Sequence, residues 1–211
     1  MAALAPQLIE TIRVEQGRRT PLLDGHWRRL RHSCVALGYA WPGQALADAL
    51  QCHIDTLDPA VDHRVRLLLG SDGQYEIAST LLAHTPEPLL VRLHLEALRA
   101  EAFWLRHKTT FRPWYTGTQQ WLMQNLDVFD VIFCNEKDEV CEGSRSNIYI
   151  RDASGAWLTP PVASGLLPGV QRQALLDGGL VREATISRNN LIAAREVRIS
   201  NALRGWRVAT L

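Results

Sequence analysis

Trp104-Leu105-Arg106-His107-Lys108-Thr109-Thr110-Phe111-Arg112 is the stretch on which the reading of this chain turns. It mixes cations with apolar rings and holds one of only two lysines in 211 residues, against 21 arginines. Before it, strand and helix patterns alternate; after it, short strands and hairpin turns dominate. We therefore place a boundary within Leu98–Arg112, giving an N-terminal α/β domain over residues 1–100 and a C-terminal domain over 101–211. Neighbouring cations and apolar rings disfavour an ammonium, and a lysine must lose its proton before it can form a Schiff base. By composition alone, a lysine in a basic run is more often part of a solvated face. The second lysine, Lys137, sits in the acidic turn Glu136-Lys137-Asp138-Glu139, where a solvated salt bridge is the simple reading.

Outward toward the N-terminus, Leu8–Val14 reads as a strand, followed by the turn Glu15–Arg18 and a second short run near Thr20–Leu23. Asp24 is the expected N-cap of a helix ending at Gly38, with Trp27, Leu30, Cys34 and Leu37 on one face. A second helix follows Pro42-Gly43 and buries Leu46, Leu50, Ile54 and Leu57. Strands are expected at His63–Leu69 and Gln74–Leu82 around Gly70–Gly73, and at Leu89–Leu95. Toward the C-terminus, strands are expected near Asp127–Cys134, Val140–Cys141 and Asn147–Arg151, then a helix from Val170 to Asp177. The chain closes with strand Val181–Ile186, helix Arg188–Arg195 and strands Val197–Ser200 and Trp206–Leu211. This irregular alternation with many hairpins predicts an α+β fold.

Hydrophobic residues make up 46% of the chain and charged residues 21%, which suits a globular protein rather than a disordered one. A formal net charge of +1 gives no reason to expect nucleic acid or an acidic membrane as partner. Cys34, Cys52, Cys134 and Cys141 show no CxxC spacing and read as reduced thiols of a cytoplasmic protein. The N-terminus lacks the pattern of a signal peptide, and no apolar run approaches the ~20 residues of a membrane helix. No HExxH or zinc-type spacing occurs, so no metal is expected.

Two further segments could carry chemistry. Gly165-Leu166-Leu167-Pro168-Gly169 precedes a helix, whose free N–H groups and positive dipole end would place a phosphate near Val170 and Gln171. Pro-Gly before a helix is also common punctuation. Glu142-Gly143-Ser144-Arg145-Ser146-Asn147 lies between two apolar strands; its carboxylate could hold a protonated ring nitrogen or lie in a surface turn. The acidic run Glu136–Glu142 allows paired carboxylates or a solvated loop. Periodicity does not single out one arginine among Arg28, Arg29 and Arg31.

Taken in chain order, several stretches resemble the class IV (fold type IV) pyridoxal-phosphate family. They are Glu10–Val14, His26–Leu30, His107–Thr110, Asn135-Glu136 with Glu142–Asn147, Ser164–Gly169 and Ser200–Gly205. That family includes branched-chain and D-amino-acid aminotransferases and 4-amino-4-deoxychorismate lyase. The resemblance implies a small N-terminal α/β domain and a larger C-terminal pseudo-barrel, with pyridoxal 5'-phosphate in the cleft between them, in a homodimer. It implies that Lys108 forms the Schiff base, that Glu142 partners the pyridinium nitrogen and that Arg29 clamps the phosphate. The backbone N–H groups of Val170 and Gln171 would complete the phosphate cup, with Ser200 or Asn201 contributing.

His-Lys-Thr-Thr, Gly-Leu-Leu-Pro-Gly-Val and Asn-Ala-Leu-Arg-Gly-Trp look most like the lyase. That likeness implies a small-molecule amine substrate held as an aldimine, release of pyruvate and para-aminobenzoate, and Arg112 and Arg204 on the substrate carboxylate. An amino-acid transaminase and a cofactor-binding protein without turnover are the alternatives. The chain departs from the family pattern at Phe111, where asparagine is expected, and at Cys141, where threonine is usual. It also begins close to the Glu-Thr strand, so the family's preceding strands are expected to be missing.

Overall fold

In the computed structural model, which describes residues 5–211, β1 (Leu8–Val14), β2 (His63–Leu69) and β3 (Tyr75–Leu81) form an antiparallel sheet in that order. Burial along β2 alternates strictly, with His63, Val65, Leu67 and Leu69 turned inward, as a sheet with one covered face requires. Helices α1 (Leu23–Leu37) and α2 (Gln44–Asp55) supply the other half of this core. Leu30, Cys34 and Leu46 pack with Leu8, Leu67 and Leu69, and Leu50 and Ile54 with Ile12, Val14 and Val65.

Two local expectations need correction. The N-cap of α1 is Leu22, and Asp24 lies inside the first turn, where its charge still opposes the positive end of the helix. The run Thr20–Leu23 is not a strand: one isolated bridge joins Glu15 to Arg19, and Pro21, with no N–H for a ladder, leads directly into α1.

Residues 107–111 belong with this first unit, which otherwise runs to His84. Ile9 N donates to Lys108 O at 2.8 Å, Thr110 N donates to Gln7 O at 2.9 Å, and Thr109 bridges Leu8. The lysine segment is therefore an added edge on β1. Residues 85–106 and 112–211 form the second unit, so the chain passes between the units three times, after residues 84, 106 and 111, where one boundary near residue 100 is expected.

The second unit holds β4 (Leu89–Leu93), β5 (Asp130–Cys134), β6 (Val140–Gly143), β7 (Asn147–Arg151), β8 (Trp157–Thr159), β9 (Arg182–Glu183), β10 (Val197–Asn201) and β11 (Gly205–Thr210). They form one mixed sheet in the order β6-β5-β4-β11-β10-β7-β8-β9. Helices α3 (Ala102–Leu105), α4 (Thr116–Gln124), α5 (Val170–Asp177) and α6 (Arg188–Ile192) accompany it. The span of α5 is as expected. Helix α4 escapes a reading by periodicity because it buries only Thr118 and Leu122. The expected strand Val181–Ile186 shrinks to two residues, since its partner β8 has only three. Strands β5 and β6 are buried along their whole length, so neither shows alternation.

Between β5 and β6 the register shifts: Ile132 faces Gly143 and Cys134 faces Val140, so Cys141 and Glu142 together oppose Phe133. A bulge of this kind re-aims a side chain, and here Glu142 occupies it. Beside it, Asp130 is fully buried and accepts from Ser144 Oγ (2.6 Å), Ser146 Oγ (2.5 Å), Val131 N (2.8 Å) and Arg145 N (3.1 Å). Gly143 passes so close that an added Cβ would lie 2.7 Å from Ser146 Oγ and nearer still to Asp130 Oδ2. Gly117, in α4, has open space around it. We expect Gly143→Ala to destabilise the protein by about 1–3 kcal/mol, and Gly117→Ala to be neutral or stabilising by up to ~1 kcal/mol. Urea unfolding of the two variants checks this; equal midpoints would show that the loop yields to the methyl group.

Candidate active site

In the first unit, β1 and α1 bring three polar side chains into an apolar core. Glu10 shares the inward face of β1 with Leu8, Ile12 and Val14 and is 2% exposed. His26 and Arg29, three residues apart, lie on one face of α1. Arg29 donates to Glu10 through Nε (2.8 Å) and Nη2 (2.6 Å), a bidentate pair that leaves the Nη1 edge of the guanidinium for another anion. His26 Nδ1 lies 2.6 Å from Glu10 Oε2; an ionised carboxylate only accepts, so Nδ1 carries the proton. Burial alone would raise the Glu10 pKa, but the charge and hydrogen bonds of Arg29, with those of His26, hold it at about 2 against a usual 4.5. One turn further along α1, buried Ser33 bonds His107 Nδ1 at 2.9 Å, and His32 stacks on the His107 ring. Lys108 follows, with its backbone carbonyl held by β1 and its side chain half-buried.

In the second unit, Glu142 is 3% exposed, and donors from two other segments meet its carboxylate. Tyr115 Oη donates to Oε1 at 2.9 Å and Leu167 N to Oε2 at 3.0 Å. Leu167 O in turn accepts from Asn147 Nδ2 at 2.9 Å. The two segments read separately in the sequence, 142–147 and 164–169, are thus locked together through one residue. Gly169 packs against the Asn147 side chain and is the N-cap of α5, where no side chain caps the first N–H groups of Val170 and Gln171. Such a helix start binds anions. Burial pushes the Tyr115 phenol, itself fully buried, well above its ordinary pKa, and the neighbouring Glu142 charge pushes it further. Tyr115 therefore stays a neutral donor.

The remaining expected residues are placed as follows. Ser200, buried on β10, shares a 2.8 Å hydrogen bond with Tyr149. Asn201 Oδ1 accepts from Leu203 N (3.1 Å) and Arg204 N (2.9 Å), so its side chain shapes the β10–β11 turn that carries Arg204. Arg112 donates through Nη2 to Ser144 O at 3.1 Å and lies over the Tyr115 ring at 4.7 Å. Among the three arginines of α1, Arg29 is the one turned inward, while Arg28 and Arg31 are exposed. Phe111 is exposed. Among the described residues, no group of three or more His, Cys, Asp and Glu is placed to hold a metal ion, and no helix is long and apolar enough to cross a membrane.

Sequence reading assigned no role to Glu10, His26, Tyr115, Asp130 or Asn147. A signal existed for Glu10, a carboxylate at period two among Leu8, Ile12 and Val14. None existed for Tyr115, whose partner is 27 residues away. The Glu10 cluster has a pH signature. Because the folded pKa lies below the unfolded one, its stabilisation is complete above pH 4.5 and is lost as pH falls through about 2. Glu10→Gln should therefore cost on the order of a few kcal/mol near neutrality, with the gap to wild type closing over that acid window in chemical denaturation. A gap that stays constant with pH would contradict the ion-pair account.

Comparison with known proteins gives the same frame. A Schizosaccharomyces pombe protein provisionally named aminodeoxychorismate lyase is 25% identical over 190 residues, 87% of this chain and 80% of that protein. The crystal structure of a protein from Mesorhizobium loti, provisionally named an amino-acid aminotransferase, superposes with a TM-score of 0.89 at 32% identity, covering 98% of this chain and all of that one. A hypothetical aminotransferase from Mycobacterium tuberculosis in its PLP-bound form shares the fold at 19% identity, with a TM-score of 0.75 over 99% of this chain and 85% of that one. The family model described as amino-transferase class IV matches residues 7–210, and the chain belongs to that family.

Proposed function

We propose that this protein is a pyridoxal-phosphate enzyme that releases pyruvate and para-aminobenzoate from 4-amino-4-deoxychorismate. The observation that carries the choice of reaction is the likeness to the S. pombe protein along 80% of that protein's length. The residues present fit the cofactor's chemistry. A buried carboxylate suits a cationic ring nitrogen, and uncapped N–H groups at the start of α5 suit a phosphate. The guanidinium of Arg29, pinned along one edge by Glu10, has a second edge suited to a phosphate.

When bound, the cofactor supplies an electron sink for the carbon that bears the substrate amine. Lys108 would hold it through Nζ, and the same Nζ would act as the base that takes the proton from that carbon. Glu142 keeps a proton at the ring nitrogen. Arg29, with the backbone N–H groups of Val170 and Gln171, anchors the phosphate, and Ser200 and Asn201 support that end. Arg112 and Arg204 orient the substrate carboxylate. Loss of the enolpyruvyl group with the electrons of its C–O bond yields an aromatic ring, so positioning and one base suffice.

A second reading, an amino-acid transaminase on the same residues, is supported by the 32% identity to the M. loti protein over its whole length. Para-aminobenzoate release by the purified, cofactor-loaded protein separates the two. We expect release, reduced by about 10²–10⁴-fold in Lys108→Ala. Absence of release, with conversion of the cofactor to its pyridoxamine form by an amino donor, would replace the lyase by the transaminase.

A further inference from the structure

Glu142 is assigned above to a cofactor nitrogen, and the residue that sets its chemistry lies on another element. Tyr115 precedes α4, is fully buried, and gives its only hydroxyl proton to Glu142 Oε1 at 2.9 Å. Its ring is packed between the Arg112 guanidinium at 4.7 Å and the Phe133 ring at 5.0 Å, so the phenol is held in place rather than free to turn. Phe133 is also the residue that faces the bulge carrying Glu142. Oε2 has a backbone donor in Leu167 N at 3.0 Å. A carboxylate accepts up to about four hydrogen bonds, so a phenol and a backbone N–H do not by themselves saturate it.

We propose that Tyr115 is a positioning residue that keeps Glu142 ionised and thereby keeps the shared proton on the cofactor's ring nitrogen rather than on the carboxylate. The inference rests on the reading of Glu142 as the partner of that nitrogen. One proton lies between two bases, the ring nitrogen and a carboxylate oxygen. In a dry site the neutral pair, carboxylic acid and pyridine, competes with the ion pair because burial disfavours separated charge. A hydrogen bond donated to the carboxylate favours its charged form and tips the competition toward the ion pair. Arg112, over the Tyr115 ring, acts in the same sense by lowering the phenol's proton affinity, whereas Asp130 and Glu142 raise it. The phenol thus remains the donor, and no proton transfer to or from Tyr115 is required. Without its cofactor, the same hydrogen bond holds the Glu142 carboxylate in one orientation.

The test uses full-length protein loaded with pyridoxal phosphate labelled with ¹⁵N in the ring, whose nitrogen resonance reports protonation directly. Wild type, Glu142→Gln, Tyr115→Phe and a protein with 3-fluorotyrosine at position 115 are compared, with circular dichroism as the check on folding. We expect a protonated nitrogen in wild type and its loss in Glu142→Gln. Tyr115→Phe should shift the proton's partition by about tenfold toward the carboxylate, and the more acidic fluorinated phenol should move it the opposite way. A resonance in Glu142→Gln unchanged from wild type would overturn the role of Glu142 itself, and with it this inference. A response in Glu142→Gln but none in either Tyr115 protein would overturn the inference alone. Should Tyr115→Phe fail to fold, the fluorotyrosine protein still decides, because it keeps the hydroxyl and changes only its acidity.

Discussion

A carboxylate sealed from water must be given hydrogen bonds by the chain around it, or burial would force it to take up a proton. Asp130 meets that condition with two serine hydroxyls and two backbone N–H groups, all but one of them from the segment 144–146. The loop between β6 and β7 is wound around this group, with Gly143 admitted only because it has no Cβ. Glu142 immediately precedes that glycine, in the bulge. Its position is therefore a consequence of how Asp130 is satisfied, and the chain beyond it follows. Asn147 starts β7 and holds Leu167, Leu167 returns a donor to Glu142, and Gly169 opens α5 against Asn147.

The same constraint organises the first unit with a different solution. Glu10 cannot find enough backbone donors on the inward face of a strand, because the ladder of β1 uses them. It draws instead on the charged and aromatic donors of α1, and so fixes the direction of Arg29. Replacing such a cluster by apolar residues of equal volume can leave stability unchanged or improved. Two buried carboxylates, Glu10 and Glu142, thus find donors in different ways: Glu10 from the side chains of Arg29 and His26, Glu142 from a phenol and a backbone N–H.

Much of this was legible beforehand. Both helices of the first unit, strands β1 and β2, and α5 follow from apolar spacing, and the ordered set of short motifs pointed to the family that residues 7–210 match. Less legible were elements whose signal is weak for a physical reason. Helix α4 buries only two side chains, and β9 has only a short partner. The two crossings of the chain at residues 107–111 were hidden because pairing with β1 is long-range and leaves no local pattern. Within the candidate site, the roles expected of Lys108, Arg29 and Glu142 came from resemblance, whereas Tyr115 and Asp130 carried no expectation. Their importance lies in partners 14–27 residues distant, and no spacing rule connects a tyrosine before a helix to a carboxylate in a bulge.

The central claim, that Lys108 carries pyridoxal phosphate, is open to a direct measurement because the chain has only one other lysine, Lys137. The cofactor-loaded protein would be reduced with borohydride, digested, and its peptides weighed. The account predicts a pyridoxyl-phosphate adduct on the peptide containing Lys108 and none on that containing Lys137. An adduct on Lys137, or an unmodified Lys108 in a protein that retains the cofactor, would contradict it.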